Sequence, residues 1–411
     1  MSEWKEVKLG DYIDMTNGYA FKSKSFVNRG IPVLKIKNIK TNKIIIEDID
    51  YISADDNNPR YTIIKPNDLI ITMTGNRIDG SPETWVGKVA LFNLDGKYFL
   101  NQRLSIIRVK KDLVNLLFIL YSLTTIDAQK YFITHATSSG GQANISPDIV
   151  KNFTIKLPSY IIQSEIAGIL SSLDAKIETN NKLNEKLEEM AQAIFKSWFV
   201  DFEPFKDQPF HETELGMIPE GWEVTTIGEN LKTALGGTPS RNRDDYWNGE
   251  IAWINSGEIN KFRIIQASEY ITENGLKSSA TKLLPAKTTV LAITGATLGQ
   301  VSLLEIDTCA NQSVIGVLES DAIKHQFIYP LIKSQIKYLI LHQTGGAQQH
   351  INKQNVDSIQ FVLPPKDILD EYQIITKKIF DQISTLCFEN QRLASLRDTL
   401  LPRLMSGEIK I

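Results

Sequence analysis

Two short motifs in this chain carry part of a catalytic site, and each lacks a residue that its chemistry requires. Residues 58–61 (NPRY) contain most of the Asn-Pro-Pro-Tyr motif of adenine methyltransferases, but Arg60 replaces the second proline and no glycine-rich cofactor loop precedes it. Gly75 and Gly80 have the spacing of a phosphate-binding loop, yet a Ser-Pro pair at 81–82 stands where Lys and then Ser or Thr must hold phosphate and Mg²⁺. We therefore expect neither methyl transfer nor nucleotide hydrolysis at these positions.

The other residue types that could perform catalysis or bind a metal have no suitable spacing. The Glu-x-Lys fragments at 3–5 and 408–410 have no upstream aspartate placed to share a metal, and the histidines form no Ser/His/Asp or metal-ligand pattern. Cys309 and Cys387 lack the paired spacings of zinc sites and disulfide frameworks, so both are predicted to be buried thiols. The sequence therefore predicts a non-catalytic chain that binds no metal or other cofactor itself.

Length and composition indicate a globular protein with more than one domain. A chain of 411 residues with 42% hydrophobic and 23% charged residues predicts two or three domains. No segment approaches the roughly 20 apolar residues of a membrane span, and residues 1–10 lack the apolar core of a signal peptide, so a cytoplasmic location is expected.

The charge is distributed unevenly between the two halves of the chain. The net charge is -3, which is not typical of a protein that binds nucleic acid, because phosphate contacts are made mainly by Lys and Arg. Residues 1–157 nevertheless hold 21 Lys and Arg against 16 Asp and Glu, or +5, whereas residues 212–363 hold 12 against 16, or -4. The two halves are therefore expected to present different surfaces.

The chain contains one long internal repeat. Residues recur in the same order at offsets of 218, 220, 210 and 206, namely Trp4, Leu9 and Gly10 as Trp222, Ile227 and Gly228; Thr74-Gly75 as Thr294-Gly295; Asn101-Gln102 as Asn311-Gln312; and Ile145, Val150, Leu157 and Pro158 as Ile351, Val356, Leu363 and Pro364. A drifting offset is what insertions and deletions in surface loops produce between two copies of one fold. Each copy therefore comprises a domain of about 150 residues and a helical region of about 40.

Each globular copy is predicted to be a mixed domain with a β core. Short β-branched runs such as 31–36 and 290–293 are bounded by Gly, Asn, Asp and Pro, which is typical of strands. Segments of helical spacing follow at 113–132 and 327–342. We predict an α+β architecture of two similar mixed α/β domains at 1–157 and 212–363, with a central helix and linker at 158–211 and a C-terminal helix at 364–411.

Both helical regions carry a narrow apolar stripe with one asparagine near its middle. Such stripes are typical of a two-helix coiled coil, and a buried Asn on the seam costs stability but sets register. The predicted seam, for an antiparallel pair with pseudo-two-fold symmetry, comprises Leu173, Ile177, Asn180, Leu183, Leu187, Ile383, Leu386, Asn390 and Leu393. The alternative is that Asn180 and Asn390 both face solvent. A 40-residue helix is about 60 Å long, which exceeds the ~34 Å turn of B-DNA.

These motifs resemble one known family. NGYAFKSKSF from Asn17, GGTPSRNRDDYWNGEIAWI from Gly236 and the Leu-Pro that precedes each long helix look like the recurring motifs of Type I restriction-modification specificity subunits. The resemblance covers the chain from Trp4 to the C-terminal helix, and its order and duplication make it specific.

The resemblance implies a function that the residues alone do not encode. Two similar domains that differ in charge and are held apart by rigid helices can address the two half-sites of a bipartite, asymmetric site on one DNA duplex, with the gap set by the helices. The resemblance implies that these are target-recognition domains that read double-stranded DNA. It also implies that the helices dock two modification subunits, which carry S-adenosylmethionine, and that restriction subunits supply ATP- and Mg²⁺-dependent translocation and cleavage. The alternative function is a coiled-coil scaffold whose duplicated domains bind protein.

The candidate DNA contacts are side chains whose charge, hydrogen-bonding capacity or position in a loop suits contact with DNA. Basic side chains suit phosphate, Arg suits guanine and Gln suits adenine. The candidates are Lys22, Lys24, Lys35, Lys37, Arg77 and Gln142 in the first domain and Arg241, Arg243, Lys261, Arg263 and Gln348 in the second. The competing interpretations are a solvated strand face for the lysines and helix-starting loops for the glutamines. Trp247 and Trp253 are predicted to pack in the core.

Overall fold

The structure, a computed structural model, describes residues 4–77, 82–110, 114–139, 141–341 and 351–411. The chain divides into two compact units, one comprising residues 1–176 and 393–411 and the other residues 177–392. Each unit contains one globular domain and part of each of two 40-residue helices, which span Tyr160–Phe199 and Lys366–Met405. In the described part of the chain, no helix has the length and apolar character needed to cross a membrane.

The first domain consists of short strands and of helices that cover one sheet. Its strands are Lys5–Lys8, Ile13–Asn17, Phe26–Val27, Ile31–Leu34, Ile39–Lys40, Lys43–Ile44, Asp50–Ile52, Ile63–Ile64, Leu69–Thr72, Thr74–Gly75, Val89–Leu91, Tyr98–Leu100, Leu104–Val109, Thr137–Ser139, Gln142–Asn144 and Thr154–Leu157. Its α-helices are Leu116–Thr124, Ile126–His135 and Pro147–Asn152. The predicted helical segment 113–132 is interrupted at Thr125, because the Thr125 hydroxyl caps a second helix by accepting a hydrogen bond from the Ala128 amide.

The second domain has the same kinds of elements. Its strands are Phe210–Thr213, Gly216–Pro219, Glu223–Thr226, Thr233–Leu235, Trp247–Ile254, Arg263–Ile264, Glu269–Ile271, Leu283–Leu284, Thr289–Ala292, Val301–Leu304, Thr308–Ala310, Val314–Val317 and Gln360–Leu363. Its α-helices are Ile227–Asn230, Glu273–Lys277, His325–Leu341 and Lys353–Asp357. The predicted helical segment 327–342 corresponds to the helix His325–Leu341.

The two domains share their strand order. In the first, one sheet runs 89–91, 69–72, 104–109, 13–17, and in the second the matching order is 301–304, 289–292, 314–317, 233–235, extended at its outer edge by 263–264. A second sheet in each domain contains a parallel pair, Val33 with Phe99 and Trp253 with Cys309, at offsets of 220 and 210. The offsets seen in the sequence are therefore the offsets between equivalent strands.

Several of the repeated residues have a structural role that explains the repeat. A Cβ added at Gly10 would lie 2.8 Å from the Lys151 Cβ, and one added at Gly228 would lie 3.0 Å from the Asp357 Cβ. In each copy, therefore, a short helix packs tightly on the glycine. The side chain of Asn311 accepts a hydrogen bond from the Ser313 amide at 3.1 Å, and Asn101 does the same for residue 103. The repeat thus preserves turns and close contacts of the scaffold.

The long helices meet in an antiparallel pair within each unit. In the second unit Asn180 Nδ2 donates to Asn390 Oδ1 at 2.9 Å, and Asn184 Nδ2 contacts Cys387 Sγ at 3.6 Å. In the first unit Arg397 Nη1 donates to Asp174 Oδ1 at 2.7 Å. The predicted pairing of the two asparagines is confirmed. The alternative, that both asparagines face solvent, is wrong for Asn180, which is buried.

The predicted seam positions differ in burial. Ile383 and Leu386 are buried, and the half-buried members are Leu173, Ile177, Leu187, Asn390 and Leu393. Leu183 is 43% exposed, and its neighbour Asn184 occupies the buried position instead. The assignment of Leu183 to the seam was wrong because it was based on apolar character alone. In a helix, residues four positions apart lie on the same face, so Asn184 rather than Leu183 shares the face of Asn180.

The two thiols are buried, as the sequence predicts. Cys309 is fully buried in a strand, and Cys387 lies against the first long helix. Burial raises the pKa of each thiol to about 11, so both are protonated at neutral pH.

Candidate nucleic-acid interface

A surface pocket of about 360 Å³ in the first domain collects side chains from four separate segments. Gln142 belongs to strand Gln142–Asn144, which pairs with strand Thr74–Gly75, and an isolated backbone bridge joins Asn76 to Trp85. Its polar and aromatic lining includes Lys37, Lys40, Asn76, Trp85, Lys88 and Gln142. The pocket therefore combines amide donors and acceptors with ammonium groups, a set that can contact both base edges and phosphates.

Gln142 has a partner that sequence reasoning missed. Arg103 Nη1 donates to Gln142 Oε1 at 3.2 Å, which orients the amide and adds a guanidinium group beside the lysines of the pocket. Arg103 directly follows the repeated Asn-Gln pair, and its counterpart in the second copy is Ser313. A change between the copies next to a preserved motif was the signal that could have identified Arg103.

Lys35 and Lys37 lie close together but are already ion-paired. Lys35 Nζ is 3.1 Å from Asp50 and sits 3.6 Å from the centre of the Phe26 ring, while Lys37 Nζ is 2.8 Å from Asp48. The hydrogen bond to Asp48 raises the pKa of Lys37. A phosphate at this place has to compete with two carboxylates, so the net positive charge is smaller than the sequence indicates.

The other first-domain candidates lie on the exposed surface. Lys22 and Lys24 are exposed on the turn that precedes strand Phe26–Val27 and do not line the pocket. Arg77 is exposed next to Asn76, at the start of a segment that is outside the described residues.

In the second domain, Arg241 and Arg243 are both held by carboxylates. Arg241 donates to Glu269 through both terminal nitrogens, at 2.5 and 2.9 Å, and its guanidinium lies 3.6 Å from the centre of the Trp247 ring. Arg243 donates to Asp245 at 2.8 and 2.9 Å. These bidentate pairs neutralise the surface that the motif presents.

The two tryptophans of this motif support the loop. Trp253 is buried, and its indole Nε1 donates to the Gly237 carbonyl at 3.1 Å, while Trp247 is half-buried and donates to the Ser240 carbonyl. Their rings meet edge to face at 5.2 Å. Packing is therefore the role that the structure assigns to Trp253.

The assignment of Arg263 to DNA contact was wrong. Its side chain is 1% exposed, and Nη2 donates to Glu188 on the first long helix at 2.9 Å. The reason is that strand Arg263–Ile264 adds to the sheet beside 301–304 and turns this side chain inward. Lys261 remains at the surface, where it pairs with Glu258 at 2.7 Å. Gln348 lies outside the described residues.

Within the described ranges, no group of three or more His, Cys, Asp or Glu side chains is arranged to hold a metal ion.

Comparison with known proteins identifies the family. The model described as "Type I restriction modification DNA specificity domain" matches residues 1–189 and again residues 219–397. The Type I restriction enzyme HindI specificity subunit of Haemophilus influenzae is 26% identical, with full coverage of both chains. The MjaIX specificity subunit of Methanocaldococcus jannaschii is 28% identical and covers 100% of this chain and 94% of its own.

A solved structure supports the fold. The crystal structure of the S subunit of a Type I restriction-modification system from M. genitalium has a TM-score of 0.58 at 16% identity, covering 98% of this chain and 96% of that one. Two matches of one domain family, in the two halves that share a strand order, favour DNA sequence specificity over a protein-binding scaffold. The chain belongs to the Type I restriction modification DNA specificity domain family.

Proposed function

We propose that this chain reads a bipartite, asymmetric site on double-stranded DNA, with one half-site per domain. The observation that carries this proposal is the contrast between a shared scaffold and different loops. The first domain has the pocket at Gln142 and the long 75–88 insertion, whereas the counterpart of the insertion, 295–300, is shorter. Different side chains on equivalent sheets suit two different half-sites.

The proposed partners supply the chemistry that this chain lacks. Two modification subunits would bind S-adenosylmethionine and dock on the long helices, and restriction subunits would use ATP and Mg²⁺, all in the cytoplasm. This chain would be a non-catalytic subunit of that complex. Apolar side chains that the long helices leave exposed, such as Ile161 at 71% and Ile374 at 69%, suit docking of this kind.

Selection from a random duplex pool tests the DNA proposal. The full chain, alone and with modification subunits, is incubated with the pool, and bound duplexes are sequenced. We expect enrichment of two short sequences separated by a fixed gap. Failure to enrich any sequence, together with tight binding of a protein partner, would favour the scaffold function instead.

Changing the length of both helices tests whether they set the gap. Inserting seven residues after Lys176 and seven before Leu393 adds about 10 Å to each helix and keeps the heptad phase. The preferred gap should lengthen while both half-sites stay the same. An unchanged gap would show that the helices do not act as a ruler. Four-residue insertions, which rotate the helix faces, provide the contrasting case.

A further inference from the structure

A buried charged cluster in the second unit connects the recognition domain to both long helices. The Arg263 guanidinium, apart from its bond to Glu188, donates to the Tyr329 hydroxyl at 3.1 Å and lies 4.5 Å from the centre of the Tyr329 ring. Glu188 belongs to the first long helix, and both Arg263 and Tyr329 belong to the domain. An arginine that is 1% exposed is rare unless its charge is compensated.

Further ion pairs surround this contact on both sides. Lys333 Nζ donates to Glu188 Oε1 at 2.8 Å. Burial would raise the pKa of Glu188, but the charges of Arg263 and Lys333 outweigh it, and the pKa lies below its ordinary value. Glu305 pairs with Lys287 and accepts a hydrogen bond at 2.7 Å from Ser384, which is on the second long helix. The domain is thus joined to each helix by a buried carboxylate.

Buried ion pairs contribute little net stability because desolvation offsets their attraction, but each requires one geometry. The apolar contacts at the same place, among Ala191, Leu303, Tyr329 and Phe380, are non-directional. The cluster is therefore suited to set the orientation of the domain on the helices.

The first unit makes a different attachment at the corresponding place. There the Tyr121 hydroxyl donates to Asp174 at 2.7 Å, and Asp174 also accepts a hydrogen bond from Arg397. The cation of this attachment therefore belongs to the second long helix and not to the domain. The residue at the offset of 220 from Arg263 is Lys43, which is exposed. A buried domain arginine is accordingly a property of the second copy.

We propose that Arg263 and Glu188 are positioning residues that fix the orientation of the second domain on its two helix segments. This inference rests on the proposed DNA-reading function and deepens it. A domain held in one orientation accepts its half-site at one gap, whereas a domain that can rotate accepts neighbouring gaps. Arg263 therefore contributes to specificity without contacting DNA.

Gap selectivity is the measurement that tests this role. Arg263→Met and Glu188→Gln are compared with wild type on duplexes that carry the selected half-sites at the preferred gap and at one base pair more or less. We expect the preference for the correct gap to fall by about tenfold, within the usual range of coupling between sites. Base preferences within each half-site should be unchanged, and Arg263→Lys should restore part of the gap preference.

Lys277→Met is the matched control, because Lys277 forms an exposed ion pair with Glu273 in the same domain. Thermal unfolding checks each variant, and Glu188→Gln, which keeps the side-chain shape, serves if Arg263→Met does not fold. A folded variant with unaltered gap preference would overturn the proposal. So would altered base preference at one half-site with the gap preference intact, since that indicates direct contact. If wild type selects no sequence, the proposed function fails first, and the two failures are distinguishable.

Discussion

The first domain surrounds an open pocket with lysine and amide side chains, whereas the arginines of the second domain's motif are held by carboxylates. Lys40 and Gln142 line the pocket of the first, and Arg241 and Arg243 pair with Glu269 and Asp245 in the second. Both domains nevertheless have the same strand order. The comparison indicates that duplication preserved the sheets and their turns, while the loops and the attachment to the helices changed.

The largest expected effect concerns the part that the two domains share, which is the helix pair. Ile383→Ala should cost about 2–5 kcal/mol, because it leaves a cavity at a fully buried position. Leu183→Ala, at a position that is 43% exposed, should cost less than about 1 kcal/mol. Urea unfolding of both variants measures the difference. Equal losses would place Leu183 on the seam after all.

Removing the Gln142 amide or its partner Arg103 should reduce base discrimination only at the first half-site. Gln142→Ala, and Arg103→Ser, which installs the residue of the second copy, should each weaken discrimination there by about 1–3 kcal/mol. Competitive binding to duplexes with single base changes in either half-site gives the measurement. Discrimination at the second half-site is the internal control. A uniform loss at both would mean that Gln142 and Arg103 support the fold rather than read bases.

Two lysines that line the pocket, Lys40 and the ion-paired Lys37, should differ in their effect on the salt dependence of DNA binding. Lys40→Met should lower the slope of log affinity against log salt by about 1 if Lys40 contacts a phosphate. Lys37→Met should lower it less, because Asp48 and Asp50 already compensate that charge. Titrations at several salt concentrations separate the two variants. A larger change for Lys37 would indicate that DNA displaces the carboxylates.

Acid should weaken the attachment of the second domain through Glu188. The folded pKa of Glu188 is below the ordinary value of 4.5, so its contribution is fully present above about pH 4.5 and is lost as the pH falls through the lower folded value. Unfolding free energies of wild type and Glu188→Gln between pH 3 and 6 should converge at the acid end. A constant difference across that range would contradict this assignment.

Sequence patterns predicted the repeat, the two long helices and the pairing of Asn180 with Asn390, because each depends on local periodicity or on residues that one turn requires. The same reasoning misassigned Leu183, since the identity of the seam residue depends on which face the partner helix covers. Arg103 was missed because its contact with Gln142 joins residues from separate segments.

By itself, the sequence determined that two copies of one fold each precede a similar long helix, because the repeated residues recur in the same order and the apolar stripes follow the local periodicity of a helix. Only the tertiary structure decided which charged side chains face solvent. Arg263 and Lys43 occupy positions related by the repeat offset of 220, yet Arg263 is buried and Lys43 is exposed. The physical reason is that burying a charge requires a partner, and Glu188 lies 75 residues away from Arg263 in the chain.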